Sequence, residues 1–148
     1  MDKIKEYIEE LNFNYSYDEK NNIYRLGFNL PGKLNSCEVI IDATEKFTKF
    51  YGLIPISANE NIQGEIAEYL TRINYGLLIG NFEMDYTDGE IRYKIVIDNS
   101  WGIQINKEII DDCIGIIVTM FAKYGDGLLE VIFGFAKANE VIERIECN

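Results

Sequence analysis

Chemistry on a polypeptide needs side chains that move protons, hold metals or attack bonds, and the most versatile of these is missing: the chain has no histidine. That absence removes the commonest general base, the commonest metal ligand and the usual activator of a nucleophilic Ser or Cys. Cysteines stand at Cys37, Cys113 and Cys147. Cys113 falls in the helical stripe Ile110, Cys113, Ile114, Ile117, Phe121, where a thiol is inert packing. Cys147 lies beside the end of the chain, where no environment tunes it. An odd count without close spacing fits neither a disulfide framework nor a zinc site, so free thiols are expected, two of them in the core.

The acidic residues are weighed next. Asp85, Asp88 and Glu90 lack the alternation before a glycine, and the later Glu, that a calcium loop requires. Asp88 reads instead as the turn residue before Gly89. Glu83 and Asp85 share the polar side of one strand pattern and Arg92 and Lys94 that of the next, so cross-strand charge pairing is expected for all four. Glu108, Asp111 and Asp112 open a helical pattern, where the helix dipole favours negative charge. Gly125-Asp126-Gly127 follows no strand, unlike a phosphate-cradling loop, and is expected to stop one helix and cap another. Gly115 and Gly134 sit inside helical patterns, each at a cost of about 1 kcal/mol relative to alanine, and predict close helix packing. Trp101, beside the Asn99-Ser100 turn, is either a lid over the core edge or a contact anchor. No catalytic residue, cofactor site or metal site is predicted.

The elements around these residues follow from period. Ile4, Tyr7, Ile8 and Leu11 recur at helical spacing behind Asp2. Phe13, Tyr15 and Tyr17 alternate with polar residues, and after a turn at Asp18 to Asn22 so do Tyr24, Leu26, Phe28 and Leu30. Strands at about Cys37 to Ala43 and Phe47 to Ile54 are joined by Thr44-Glu45-Lys46, a connection short enough to require an antiparallel hairpin. Val39 and Ile41 face one side of this hairpin and Ile40 the other, while Phe47, Tyr51 and Leu53 oppose Phe50 and Ile54. Apolar residues on both faces predict that both faces are covered. A helix carrying Ile66, Tyr69, Leu70, Ile73 and Leu77 comes next, followed by a hairpin turning at Asp88-Gly89. Two further helical regions end the chain, the first closing near Tyr124-Gly125 and the last broken near Gly134 to Asn139. The order α-β-β-β-β-α-β-β-α-α predicts an α+β domain, with a mainly antiparallel sheet and helices packed on one face.

Composition sets the outer limits. The 148 residues, 47% of them apolar, suit a single domain over 1–148 with its own core. Asp and Glu total 25 against 14 Lys and Arg, for a formal net charge of -11 and a pI of about 4.4. That balance argues against nucleic acid and against an anionic membrane surface. Its ordinary role is solubility, and the same field would draw in a basic partner. The charged start Met-Asp-Lys-Ile-Lys-Glu carries no apolar run, and no apolar stretch is long enough to span a bilayer, so a cytoplasmic location is expected.

Ile73 to Asp85, reading INYGLLIGNFEMD, and Asp88 to Lys94, reading DGEIRYK, resemble the middle of a YbjN-type domain, a family of proposed bacterial sensory transduction regulators. Tyr124 to Gly134 is similar to that family's next helix and Glu140 to Glu146 to its acidic tail helix. The strands from Phe13 to Ile54 follow its order too. The resemblance implies a fold like that of type III secretion chaperones, small acidic homodimers that hold an unfolded segment of another protein. It also implies that an uncovered sheet or helix face pairs two copies or receives a peptide. The resulting expectation is a non-catalytic protein-binding module, homodimeric, whose partner is basic or partly unfolded. Ile40, Phe50, Ile54 and Trp101 are its expected contact residues. The rival expectation is an acidic immunity or inhibitor protein that neutralises a basic toxin.

Overall fold

A computed structural model of the protein describes residues 2–147. Helix α1 (Lys3–Glu10) starts where Asp2 supplies an N-cap, one carboxylate oxygen accepting from the Ile4 N–H at 3.0 Å. The other oxygen accepts from the Tyr24 hydroxyl and ties the helix to β2 (Ile23–Asn29). Strand β1 (Ser16–Asp18) is shorter than the alternation from Phe13 predicts. The Phe13 and Tyr15 rings instead pack edge-on against Phe28 and Tyr24, their centroids 5.4 and 5.7 Å apart.

β3 (Ser36–Ala43) and β4 (Phe47–Ser57) form the expected hairpin, α2 (Gln63–Asn74) follows, and β5 (Asn81–Met84) and β6 (Glu90–Asp98) form a second. The six strands lie in one sheet in the order β1-β2-β3-β4-β6-β5, with every neighbouring pair antiparallel. A short 3-10 turn, Asn99–Trp101, leads to α3 (Lys107–Ile132) and then α4 (Ala138–Glu146). The predicted class and element order are therefore those of the structure.

The core lies between one sheet face and the helices. Leu26, Val39, Ile41, Phe50, Ile91 and Tyr93 are fully buried on that face, with Ile66 and Tyr69 of α2 and Ile110 and Ile117 of α3 above them. α3 crosses β4 at Gly52, where a Cβ would overlap the Ile117 and Phe121 side chains. The missing side chain at this point lets the helix lie close to the sheet. α4 is clamped to its neighbours by Ala138 N–H donating to Glu65 at 2.8 Å and by an Arg144–Glu130 ion pair at 2.6 Å.

One expectation fails at the glycines of α3. Gly125-Asp126-Gly127 does not stop the helix, which runs unbroken for 26 residues. Two tertiary contacts offset the cost of the glycines: a Cβ at Gly125 would collide with Leu34, and one at Gly127 with Val141 and Tyr69. Between them Asp126 turns its carboxylate to the chain before β3, accepting from the Lys33 and Leu34 N–H groups at 2.8 and 3.0 Å. The helix ends instead at Gly134, in the left-handed region at φ 73°, where the N–H groups of Gly134 and Phe135 donate to the Val131 and Glu130 carbonyls. Gly115 and Gly134 both depart from the expected close packing: apart from chain neighbours and the helix's own backbone, nothing lies within 4 Å of the place a Cβ would occupy at either.

Candidate functional site

Strand alternation leaves the second face of the sheet turned away from every helix. The β3–β4 register sets Ile40 opposite Tyr51 and Glu38 opposite Leu53, and across β6 the same rows continue through Lys94 and Arg92. Ile40, Tyr51 and Leu53, half-buried in the monomer, thus form an apolar centre on the sheet's open side. Both faces of the hairpin carry apolar residues, as the pattern implied, but among the described residues every helix lies on the first side, so the chain itself covers only that one.

The charges around this centre are satisfied within the face. Asp42 pairs with Lys49 directly across the hairpin at 2.5 Å, Arg25 reaches Glu38 at 2.8 Å, and Glu83 holds both Arg92 and Lys94, the latter at 3.0 Å. Arg92 also lies 4.8 Å from the centroid of the Tyr51 ring. Burial pushes the Glu83 carboxyl up, but hydrogen bonds from Lys94 and Arg92 outweigh it and hold the group below the usual carboxylate range. The expected pairing is present for Glu83, Arg92 and Lys94 but absent for Asp85, which turns back to accept from the Thr87 N–H at 2.8 Å.

Of the four expected contact residues, the structure brings only Ile40 to this face. Phe50 has no accessible surface. It pairs with Ile41 and lies on the covered side, so it cannot meet a partner in the folded chain. Ile54, at the irregular end of β4, packs its half-buried side chain against the core cluster. Trp101 is 75% exposed in the turn after β6, so it does not lie as a lid over the core edge. Tyr51 and Leu53 belong with Ile40 and were missed. The three-residue connection could not have found them, because closing the hairpin over Thr44-Glu45-Lys46 would pair Ala43 with Phe47 and set Ile40 against Phe50, whereas Ala43 pairs with Thr48 and Ile40 with Tyr51.

Carboxylates converge in one cleft of about 340 Å³ lined by Glu83, Asp85, Glu90 and Arg92. General acid–base work near neutral pH draws on a carboxyl pushed upward, and Glu83 and Asp85 are shifted the other way. Glu83 is held down by its two cations, and Asp85 is lowered chiefly by the Thr87 backbone hydrogen bond. The Cys37 and Cys113 thiols are raised to about 11 by burial, with the nearby Asp112 charge adding to the second. Neither is poised as a nucleophile.

A six-stranded antiparallel sheet with four helices defines an α+β architecture, and its fold is similar to that of a solved structure. That structure is YbjN from E. coli, described as a proposed transcription regulator. The similarity has a TM-score of 0.60 at 9% sequence identity, covering 84% of this chain and 89% of that one. No family model matches the sequence, and no curated protein does. At this identity the likeness establishes a YbjN-like fold. Among the described residues no helix is long and apolar enough to cross a membrane.

Proposed function

We propose that the chain, as one domain, is a non-catalytic protein-binding module of the YbjN-like or secretion-chaperone-like kind, and that it pairs with a second copy through the open sheet face. The observation that carries this reading is the apolar centre of Ile40, Tyr51 and Leu53, uncovered by any helix and ringed by charges that already have partners. Such a face offers a partner apolar area without asking it for complementary charge.

A second copy meets that condition better than most proteins would. Most of the excess negative charge sits on the helices, at Glu9 and Glu10 of α1, Glu68 of α2, Asp111 and Asp112 of α3 and Glu143 and Glu146 of α4 among others, all of these exposed. Two copies approaching by those sides would repel. Approaching by the sheet they meet near neutrality, over roughly 600 Å² in plan for six strands of this length. Stable interfaces bury ~800 Å² per partner. The YbjN-like fold and the composition support a regulator-like role in the cytoplasm, without nucleic acid or membrane as ligand.

Light scattering at micromolar concentration tests the pairing. The expected mass is twice the 17.1 kDa of the chain, falling to the monomer value in Leu53→Lys, an open-face change that spares the core. A monomeric wild-type chain that also retains no protein partner in a pull-down would contradict the proposal. The exposed carboxylates of the helices favour one other reading, an immunity protein that plugs a basic toxin. A toxin gene directly beside this one would support it.

A further inference from the structure

The helical side of the molecule carries a surface of different character. In the loop between α2 and β5, Tyr75 is 96% exposed and Leu78 98%. Next to Leu78, Ile79 faces the outward side of α3 across a groove of about 590 Å³. On that side of α3 two rows run at four-residue spacing: Asp111, Gly115, Thr119 and Asp112, Ile116, Met120. The floor is therefore apolar toward Met120 and acidic one turn toward the helix start, ~6 Å per step.

Gly115 is informative because folding gives no reason for it. Gly125 and Gly127 admit Leu34 and Val141, whereas at Gly115 nothing beyond the helix's own backbone lies within 4 Å of a Cβ. A glycine in an exposed helix interior costs about 1 kcal/mol relative to alanine, and here that cost has no return inside the chain. The notch it leaves opens into the groove. Neither Asp111 nor Asp112 takes part in an ion pair among the described residues. A second copy of this acidic chain would bring like charge to them, and a purely apolar ligand would leave them unanswered.

We propose that this groove docks a cationic amphipathic segment of another protein, its apolar side chains seated over Gly115, Ile116 and Ile79 and its Lys or Arg one turn further on, against Asp111 and Asp112. The proposal rests on the reading of the chain as a protein-binding module but not on the dimer. The test uses the full chain and a labelled, end-blocked 16-residue helical peptide with Leu at i and i+4 and Lys one turn beyond. Fluorescence anisotropy at low salt should show saturable binding that weakens as salt is added. Replacing the lysines by Glu, or making the double change Asp111→Asn and Asp112→Asn, should weaken it about tenfold. Gly115→Gln fills the notch with a better helix former, so its unfolding temperature should hold or rise while peptide affinity drops at least about tenfold. Leu53→Lys should leave peptide binding unchanged, which separates this surface from the dimer face. The proposal is overturned by the absence of saturable binding, by equal binding of the Glu peptide, or by undiminished binding to folded Gly115→Gln. Loss of self-association in that variant would assign the groove to a second copy, and overturn it as well.

Discussion

At the scale of single residues, the side chains that most resemble reactive groups are held in unreactive states by their surroundings. Cys37 and Cys113 are buried and raised to about 11, so at neutral pH they are almost wholly protonated. Cys147 is exposed. In an aromatic disulfide titration of the native protein at pH 8, one thiol should therefore react promptly and the other two only on unfolding. Rapid reaction of Cys113 in the folded chain would restore it as a candidate nucleophile. The linkage has a definite sign: both thiols titrate higher folded than unfolded, so their contribution to stability is complete below the unfolded value and is lost as pH rises through about 11. Carboxylates behave in the opposite sense. Glu83 and Asp85 are lowered on folding, so what they contribute is present above the unfolded pKa and disappears as the solution is acidified past the folded one.

At the scale of elements, β5 is an edge strand whose outward backbone groups need partners. Asn74, the last residue of α2, meets this need: its carboxamide oxygen accepts from the Phe82 N–H and its amide nitrogen donates to the Phe82 carbonyl, both at 2.8 Å. Asn74→Ala should lower stability by about 1–2 kcal/mol in urea unfolding and promote concentration-dependent association through the freed edge. Asn74→Asp keeps only the acceptor and should fall between the two; an Asn74→Ala variant as stable and as soluble as wild type would remove this role. The elements themselves were legible in the sequence, because alternation in Tyr24 to Leu30 and helical spacing in Ile66 to Ile73 each reflect one buried face. What was not legible depended on contacts remote in the chain. Gly125-Asp126-Gly127 has the local chemistry of a helix stop, and only Leu34, Val141 and the N–H groups of Lys33 and Leu34 keep the helix intact. The candidate face was half legible for a similar reason: apolar residues on both sides of the β3–β4 hairpin marked it, but Phe50 was grouped with Ile40 because the register was left open. Paired to Tyr51, Ile40 belongs to the opposite side.

At the scale of the molecule, charge divides the surface into two kinds. The helical side holds most of the negative excess behind a net charge of -11, while the open sheet face neutralises its own ions around Ile40, Tyr51 and Leu53. As proposed, a like copy takes the neutral surface and a cationic segment the acidic one. Phe135, exposed just past the end of α3, lines neither surface and serves as an internal reference. Hydroxyl-radical footprinting over a rising series of protein concentrations tests the central claim most directly. The account predicts that oxidation of Tyr51 and Leu53 falls as concentration rises while that of Leu78 and Phe135 stays level; Tyr51 oxidised at the same rate from nanomolar to high micromolar protein would contradict it.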